Sequence, residues 1–327
     1  MVSTADREPQ NAAQFNLDDM ALLHHWTRVA SLSIVDSPGH ANKLWQDLIT
    51  SIGLEHAFVM HAILSLAALH LACSQPSSKE QWLTISTRHH NKALQGMQDS
   101  INQLNAQNGH AVFACSFLNI INIFCVHGRL ADGSTGELRT SLRKSQILGA
   151  DLIPMIRGVQ AVLAPVHQHI LQGPLAPLME IGHWMSLTPD ISAPPADEHF
   201  RKLRDVWAAD SDTEVYDHTL YELRKCCAYV KESEVSPGGT PNSSYNGRWA
   251  APEIWLLMTQ PEYFVRLEQR QPAALLLYCY MGALMHDLEC HWFLKGWGRN
   301  IVDVVAEILG PYWSKWTVWP KQVVGLP

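Results

Sequence analysis

Apolar residues recur at helical spacing along almost the whole chain. They stand three, four and seven positions apart, which is the pattern of helices that bury one face, and no stretch shows the alternation that a half-buried strand requires. Asn16 comes directly before the first such run and is followed by Asp18 and Asp19, an N-cap residue with acids in the first turn. The sequence therefore predicts an all-α protein whose first helix begins after Asn16 and runs through Trp26 and Val29.

The same spacing predicts the remaining helices. In chain order they are His40–Ile52, Phe58–Cys73, Ser78–Asn105, Gly109–His127, Gly136–Leu148, Met155–Leu171, Asp197–Ala208, Asp212–Lys231, Ala251–Glu268, Pro272–Leu294 and Asn300–Leu309. The helix Phe58–Cys73 is apolar nearly all round, so we expect it to lie at the centre of the fold. Residues 16–327 are predicted to form one large helical domain, with a flexible loop at 236–247 that is rich in Gly, Ser, Pro and Asn.

The charge balance argues against a nucleic-acid surface. The chain has 24 Lys and Arg residues against 31 Asp and Glu residues, a formal net charge of −7, and binding to phosphate backbones depends on clustered basic side chains. With 47% hydrophobic and 17% charged residues, the composition is that of a globular protein. We expect no nucleic-acid partner.

The cysteines and the first residues predict the compartment. The seven cysteines show no zinc-type spacing, which favours a reducing environment. Residues 1–15 are polar, are predicted to be disordered, and lack the layout of a signal or transit peptide.

The apolar runs Ala57–Cys73 and Ala273–Met285 are interpreted as too short and too interrupted for a membrane span. These features predict a soluble, cytoplasmic protein without a membrane span; they do not decide whether it is a homodimer.

Five stretches taken together resemble one family. They are NLDDMALLHHWTRVASLSI at 16–34, HAFVMHAILSLAALHLA at 56–72, RHHNKAL at 88–94, RGVQAVLAPVHQHILQGPL at 157–175 and CHWFLKGWGRNIVDVVAEILGPYWSKWTVWP at 290–320. This set resembles the regulatory domain of fungal zinc-cluster transcription factors of the sterol uptake control type. The resemblance implies an all-helical fold around an apolar pocket, which receives a sterol in the sterol-sensing regulators.

The resemblance leaves two functions open. The zinc-cluster regulators carry six zinc-binding cysteines ahead of this domain, whereas only 15 polar residues precede the first helix here. The domain is also similar to fungal terpene cyclases of the humulene synthase kind, which lack the cluster and the usual cyclase motifs. We therefore favour a terpene cyclase that acts on a prenyl diphosphate, such as farnesyl diphosphate, with Mg²⁺. The alternative is a sterol- or lipid-binding regulatory module that does not bind DNA.

A polar face in the helix Gly109–His127 is the first candidate site. Ser116, Asn119 and Asn122 stand three residues apart in an otherwise apolar run and share one face. These side chains either form hydrogen bonds with neighbouring helices or contribute to a site for Mg²⁺ and diphosphate. Amides and hydroxyls bind Mg²⁺ weakly, so a carboxylate must join them. Asn119, Asn122 and Asp287 are the predicted metal ligands.

The remaining candidates lie on other helices. In the helix Pro272–Leu294, one stripe combines Met281, Met285, Glu289 and Trp292; it is either the mouth of an apolar pocket or the exposed end of the helix. Arg157 and Lys295 are basic residues of the kind that binds a diphosphate. Each could equally be an ordinary surface residue. The predicted catalytic residues are Arg157, Glu289 and Lys295. The predicted pocket residues are His61, Asn119, Met281, Met285 and Trp292, although a histidine on an apolar face, such as His61, is more often a core residue.

Overall fold

The computed structural model describes residues 15–35, 43–128, 137–181, 184–191, 193–235 and 247–327, and these ranges contain helices and no strand. The all-α prediction is confirmed. The segment 1–15, except Phe15, and the loop 236–247, except Gly247, lie outside the described residues. The α-helices are α1 (Leu17–His25), α2 (Ile49–Glu55), α3 (Ala57–Ser74), α4 (Lys79–Ile101), α5 (Gly109–His127), α6 (Glu137–Ile147), α7 (Leu152–Leu163), α8 (His167–Leu171), α9 (Asp197–Lys202), α10 (Thr213–Val235), α11 (Ala251–Met258), α12 (Pro261–Glu268), α13 (Pro272–His286), α14 (Trp297–Leu309) and α15 (Ser314–Val323).

The first helix begins where the sequence predicts. Asn16 is the N-cap residue: its side chain accepts a hydrogen bond from the backbone N–H of Asp19 at 3.0 Å. The Asp19 carboxylate accepts one from the backbone N–H of Asn16, also at 3.0 Å. The two bonds satisfy donors that would otherwise lack partners at the helix start. α1 then continues as the π-helical segment Trp26–Ala30.

Some of the predicted helices are divided or end early in the structure. The predicted helix Ala251–Glu268 breaks before Pro261, because the residue ahead of a proline is pushed towards extended backbone. The predicted helix Met155–Leu171 is interrupted by a 3₁₀ turn at Ala164–Val166, which contains a proline. The predicted helix Pro272–Leu294 ends at His286 and gives way to turns. The spacing of apolar residues continues through these breaks, so periodicity alone did not reveal them.

Helix α3 lies at the centre of the first half of the chain, as predicted. It packs most extensively against α4, and α1, α2 and α5 cover its other sides. By length and composition alone, α3 and α5 could each cross a membrane, and 78% and 83% of their apolar windows are buried inside the fold. The expectation that the run beginning at Ala57 is too short for a span was therefore wrong on length.

Helix α13 has the corresponding place in the second half. α14 packs against it along much of its length, and α10, α12 and α15 surround it. Helix α7 contacts both α5 and α11. Trp297, at the start of α14, is fully buried, packs edge-on against Phe124 of α5 and donates its indole N–H to the Phe124 carbonyl. The two halves of the chain therefore share one apolar core.

The pair α13–α14 depends on two glycines that face each other. A Cβ atom at Gly298 would lie 2.6 Å from the Gly282 carbonyl oxygen and 2.7 Å from the backbone nitrogen of His286. Both neighbours are backbone atoms of α13, so they cannot turn aside. Any side chain at Gly298 would push the two helices apart.

We expect Gly298→Ala to lower the free energy of unfolding by about 1–3 kcal/mol, the usual cost of overfilling a packed interior. Gly158→Ala is the matched control, because Gly158 lies inside α7 with no atom within 4 Å of a Cβ built there. Alanine has the higher helix propensity, so the control should gain about 0.5–1 kcal/mol. Urea denaturation of both variants measures the difference; equal effects would contradict the close approach of α13 and α14.

Glu253 is a carboxyl buried in the apolar core. Its residue is 7% exposed, and its Oε2 atom has no hydrogen-bond partner in the described part of the chain. Burial raises the pKa of this carboxyl from 4.5 to about 7. The unfolded chain therefore releases this proton at a lower pH than the folded chain does, so the free energy of unfolding falls as pH rises between 4.5 and 7.

We expect Glu253→Gln to remove this pH dependence. Each unit of pKa difference corresponds to about 1.4 kcal/mol, so the variant should be more stable than the wild type by about 3 kcal/mol at pH 8. The two proteins should differ little at pH 4.5. Glu262→Gln, at an exposed position in the first turn of α12, is the control. Parallel stability curves for wild type and Glu253→Gln between pH 4.5 and 8 would contradict the prediction.

Candidate functional site

A carboxylate and two histidines form a buried chain of polar contacts between α1, α4 and α3. The Asp19 Oδ1 atom lies 3.1 Å from Nε2 of His89, and Nδ1 of His89 lies 2.9 Å from Nδ1 of His61. All three residues are 2–3% exposed. The ring of Phe15 covers His61 at 4.8 Å, and Arg88 lies 3.6 Å from the Asp19 carboxylate. His61 is therefore held in place by His89 of α4 and by Phe15, which precedes α1.

Burial lowers the pKa of both histidines in this chain of contacts. Nε2 of His89 faces both the Asp19 carboxylate at 3.1 Å and the Arg88 guanidinium at 3.3 Å, and Nδ1 of His89 faces Nδ1 of His61. Burial, followed by the charge of His89, lowers the pKa of His61 to about 4, and burial also lowers the pKa of His89. Both rings are neutral at neutral pH. The contact with His89 orients the ring of His61, the predicted pocket residue.

A second polar network joins α3, α4 and α5. The Ser65 hydroxyl donates to the Ser86 carbonyl at 3.0 Å and lies 2.9 Å from the Ser86 hydroxyl. Asn122 donates its amide N–H to the Ser65 hydroxyl at 2.9 Å. On the same face of α5, the Ser116 hydroxyl donates to the Val112 carbonyl. Two of the three polar residues predicted to share this face therefore have oxygen partners within the protein.

Asn119 differs from its two neighbours on that face. It is 1% exposed, and among the described residues its amide nitrogen donates only to sulfur atoms, Sδ of Met97 at 3.4 Å and Sγ of Cys115 at 3.8 Å. Its Oδ1 atom has no hydrogen-bond partner among the described residues. Sulfur is a weak acceptor, so this amide is poorly satisfied at both ends. Asn119 is consequently a buried amide whose hydrogen-bonding capacity is largely unused among the described residues.

The predicted acidic residues after α13 form contacts of their own. Asp287 pairs with Lys231 of α10 at 2.8 Å. Glu289 lies 3.1 Å from Nδ1 of His286 and accepts a hydrogen bond from the backbone N–H of Gly296 at 3.2 Å. Glu289 thus stabilises the turns between α13 and α14. Of the predicted metal ligands, Asp287 is paired with a lysine and Asn122 with Ser65.

The predicted basic residues also lie apart. Arg157, on α7, donates to the carbonyls of Leu256 and Thr259 at 3.0 and 2.9 Å and stacks on Phe264. It thereby satisfies carbonyl groups at the C-terminal end of α11. Lys295 is exposed in the turns before α14. No hydrogen bond or ion pair among the described residues joins Arg157, Glu289 or Lys295 to one another.

The predicted apolar pocket residues lie in the interior. Met281 and Met285 are 2% and 3% exposed on α13. Trp292 is half-buried and packs edge-on against His70 of α3 at 5.1 Å. His70 in turn lies 3.0 Å from His25 of α1. Trp292 therefore connects the turns after α13 with the central helix of the first half.

Sequence reasoning did not find the partners of several of these residues. Asp19 was interpreted as first-turn charge, which it is, but its contact with His89 was not predicted. The run RHHNKAL could have indicated such a contact, because histidines on a helix that packs against an apolar helix need polar partners. Nothing in the sequence indicated that Met97 would lie beside Asn119, or that Glu253 would be buried without a charged partner.

Known proteins match one part of this structure. Residues 21–154, from α1 to the start of α7, match the family model described as the fungal specific transcription factor domain. Sterol uptake control protein 2 from Candida albicans is 27% identical over 110 residues, which cover 34% of this chain and 15% of that protein. Sterol uptake control protein 2 from Saccharomyces cerevisiae is 26% identical over 107 residues, which cover 33% of this chain and 11% of that protein.

The matched segment contains much of the candidate site. His61, His89, Asn119 and the network around Ser65 all lie within 21–154, whereas α10 to α15 lie outside it. The alignments span less than a fifth of each curated relative. They therefore relate this chain to one part of those proteins, and the activities of the whole proteins do not follow from them. Residues 21–154 are therefore similar to the fungal specific transcription factor domain, and the chain is similar to sterol uptake control proteins over about a third of its length.

Proposed function

We propose that the chain is a regulatory module that binds a sterol-type lipid, with the amide of Asn119 as the partner of the ligand's hydroxyl group. A sterol is a rigid apolar molecule with one polar group. Asn119 offers the matching environment: a buried amide on a helix that is otherwise almost entirely apolar. The observation that carries the proposal is the Oδ1 atom of Asn119, which is buried without a hydrogen-bond partner among the described residues.

The energetics of Asn119 favour a ligand over a purely structural role. A buried polar atom without a partner costs about 1–3 kcal/mol, and an apolar residue of similar shape would avoid that cost. Asn122, one turn further along α5, supports the packing of three helices through Ser65 and Ser86. Asn119 makes no comparable contribution in the absence of a ligand. A hydroxyl that donates to its Oδ1 atom would offset the cost and give the ligand a defined orientation.

The relation to sterol uptake control proteins supports the same proposal. Asn119 lies in the segment that matches the transcription factor domain, and two proteins named for the control of sterol uptake are similar to this chain. The predicted residues of a cyclase site have other partners: Arg157 binds backbone carbonyls, Asp287 pairs with Lys231 and Glu289 binds Gly296. The contacts therefore favour the regulatory function, and terpene cyclisation stays a prediction of the sequence.

We expect Asn119→Leu to weaken sterol binding by about tenfold, the effect of losing roughly 1.4 kcal/mol. Binding of ergosterol and of an analogue without the hydroxyl group is measured by fluorescence titration on both proteins. The wild type should prefer ergosterol, whereas the variant should bind both compounds equally, because the preference resides in one hydrogen bond. Equal affinities of the wild type for the two compounds would refute the role of Asn119.

The stability of the same variants provides the control. Asn119→Leu should unfold at the same temperature as the wild type or higher, since it removes an unsatisfied polar atom. Asn122→Leu should unfold at a lower temperature, because the Ser65 hydroxyl loses the donor that connects it to α5. Folding of each variant is monitored by circular dichroism at 222 nm. A large loss of stability in Asn119→Leu would mean that its amide supports the core and not a ligand.

A turnover assay separates regulation from catalysis. If the chain is a binding module, incubation with farnesyl diphosphate and Mg²⁺ should release no diphosphate above the level of a boiled sample. A cyclase would release diphosphate and form a cyclic hydrocarbon or alcohol, with Mg²⁺ and a basic residue drawing off the leaving group. Detection of a cyclic product, lost in Arg157→Leu but retained at full level in His24→Ala, would overturn the regulatory proposal.

A further inference from the structure

Two histidines and a glutamate meet at the junction of three helices. Glu55 is the last residue of α2, His56 lies in extended backbone between α2 and α3, and His110 is in the first turn of α5. One ligand atom from each of the three residues lies within 4.8 Å of the other two. The rings of His56 and His110 meet edge-on at 5.4 Å. Residues far apart in sequence are thus brought to one point at the surface.

The donor set suits zinc. Two imidazole nitrogens and one carboxylate oxygen are a set that Zn²⁺ accepts with about 2.0–2.2 Å bonds in tetrahedral geometry. Such donors stand about 3.4 Å from one another around the metal, so the side chains need to close only slightly from their present separation. Glu55 is exposed and both histidines are half-buried, which leaves them room to adjust. Hard cations such as Mg²⁺ and Ca²⁺ prefer an all-oxygen set and fit poorly.

The local electrostatics are compatible with a cation. Each histidine offers a ring nitrogen, which binds a metal through its lone pair when the ring is neutral. The N-terminal ends of α3 and α5 carry partial positive charge, which opposes a cation at this place. The Glu55 carboxylate supplies the negative charge that compensates for it. The two histidines thus offer ring nitrogens to the metal, and Glu55 offers an oxygen and the compensating charge.

We propose that Glu55, His56 and His110 bind a zinc ion that links the junction of α2 and α3 to the start of α5. The fourth position of the ion is left to water, as in zinc sites with three protein ligands. The ion would hold the helix that carries Asn119 against the central helix α3. This inference goes beyond the proposed sterol binding and does not depend on it.

Calorimetric titration of the full chain tests the site. The protein is freed of metal with a chelator, and ZnCl₂ is then added at pH 7.5. We expect one equivalent to bind to the wild type, with affinity at least about tenfold lower in His110→Ala and in Glu55→Gln. Glu55→Gln changes an exposed side chain and keeps its shape, so it tests the site without a risk to folding. His24→Ala removes an exposed histidine of α1 and should bind zinc as the wild type does.

Thermal unfolding provides a second measurement. A metal that binds only the folded state raises the melting temperature, so ZnCl₂ should stabilise the wild type and His24→Ala and leave His110→Ala unchanged. The same titration with MgCl₂ should have no effect. Failure of the wild type to bind zinc, or equal zinc binding by the wild type, His110→Ala and Glu55→Gln, would overturn the proposal. Neither result would bear on sterol binding by Asn119.

Discussion

Burial of α3 on every side is the interaction on which the rest of the structure depends. The helix has no polar face to turn towards solvent, so α1, α2, α4 and α5 have to surround it. Its few polar side chains are then forced into the interior, where each needs a partner. The chain of Asp19, His89 and His61 and the network of Ser65, Ser86 and Asn122 supply those partners. Apolar packing sets the arrangement of the helices, and the two polar networks fix their register.

The candidate site is defined by the polar groups that these networks leave unsatisfied. Asn119 lies one helical turn from Asn122 in the same environment, yet one amide donates to a serine hydroxyl while the other contacts sulfur. Partners on neighbouring helices account for the difference: α3 offers Ser65 to one position, and α4 offers Met97 to the other. The same reasoning applies to the surface cluster of Glu55, His56 and His110. These residues lie close together because α2, α3 and α5 meet at that point.

The sequence predicted the helices and the central place of α3 because both follow from local spacing and composition. It predicted the N-cap at Asn16, since capping involves neighbours three residues apart. It did not predict the breaks before Pro261 and at Ala164–Val166, nor the end of α13 at His286, because apolar spacing persists across these positions. The stripe from Met281 to Trp292 was interpreted as one helix for that reason, and the structure divides it between α13 and the turns after it.

The sequence by itself determined the fold class and the relation to sterol uptake control proteins, since helix periodicity and the conspicuous apolar and tryptophan-rich stretches are local. Only the tertiary structure decided which polar residues have partners. Arg157 proved to bind carbonyls of α11, Asp287 to pair with Lys231, and Asp19 to meet His89, contacts between residues 56 to 102 positions apart. The physical reason is that a side chain's hydrogen-bonding state depends on the helices packed against it, and that packing is set by the whole core rather than by neighbours in sequence.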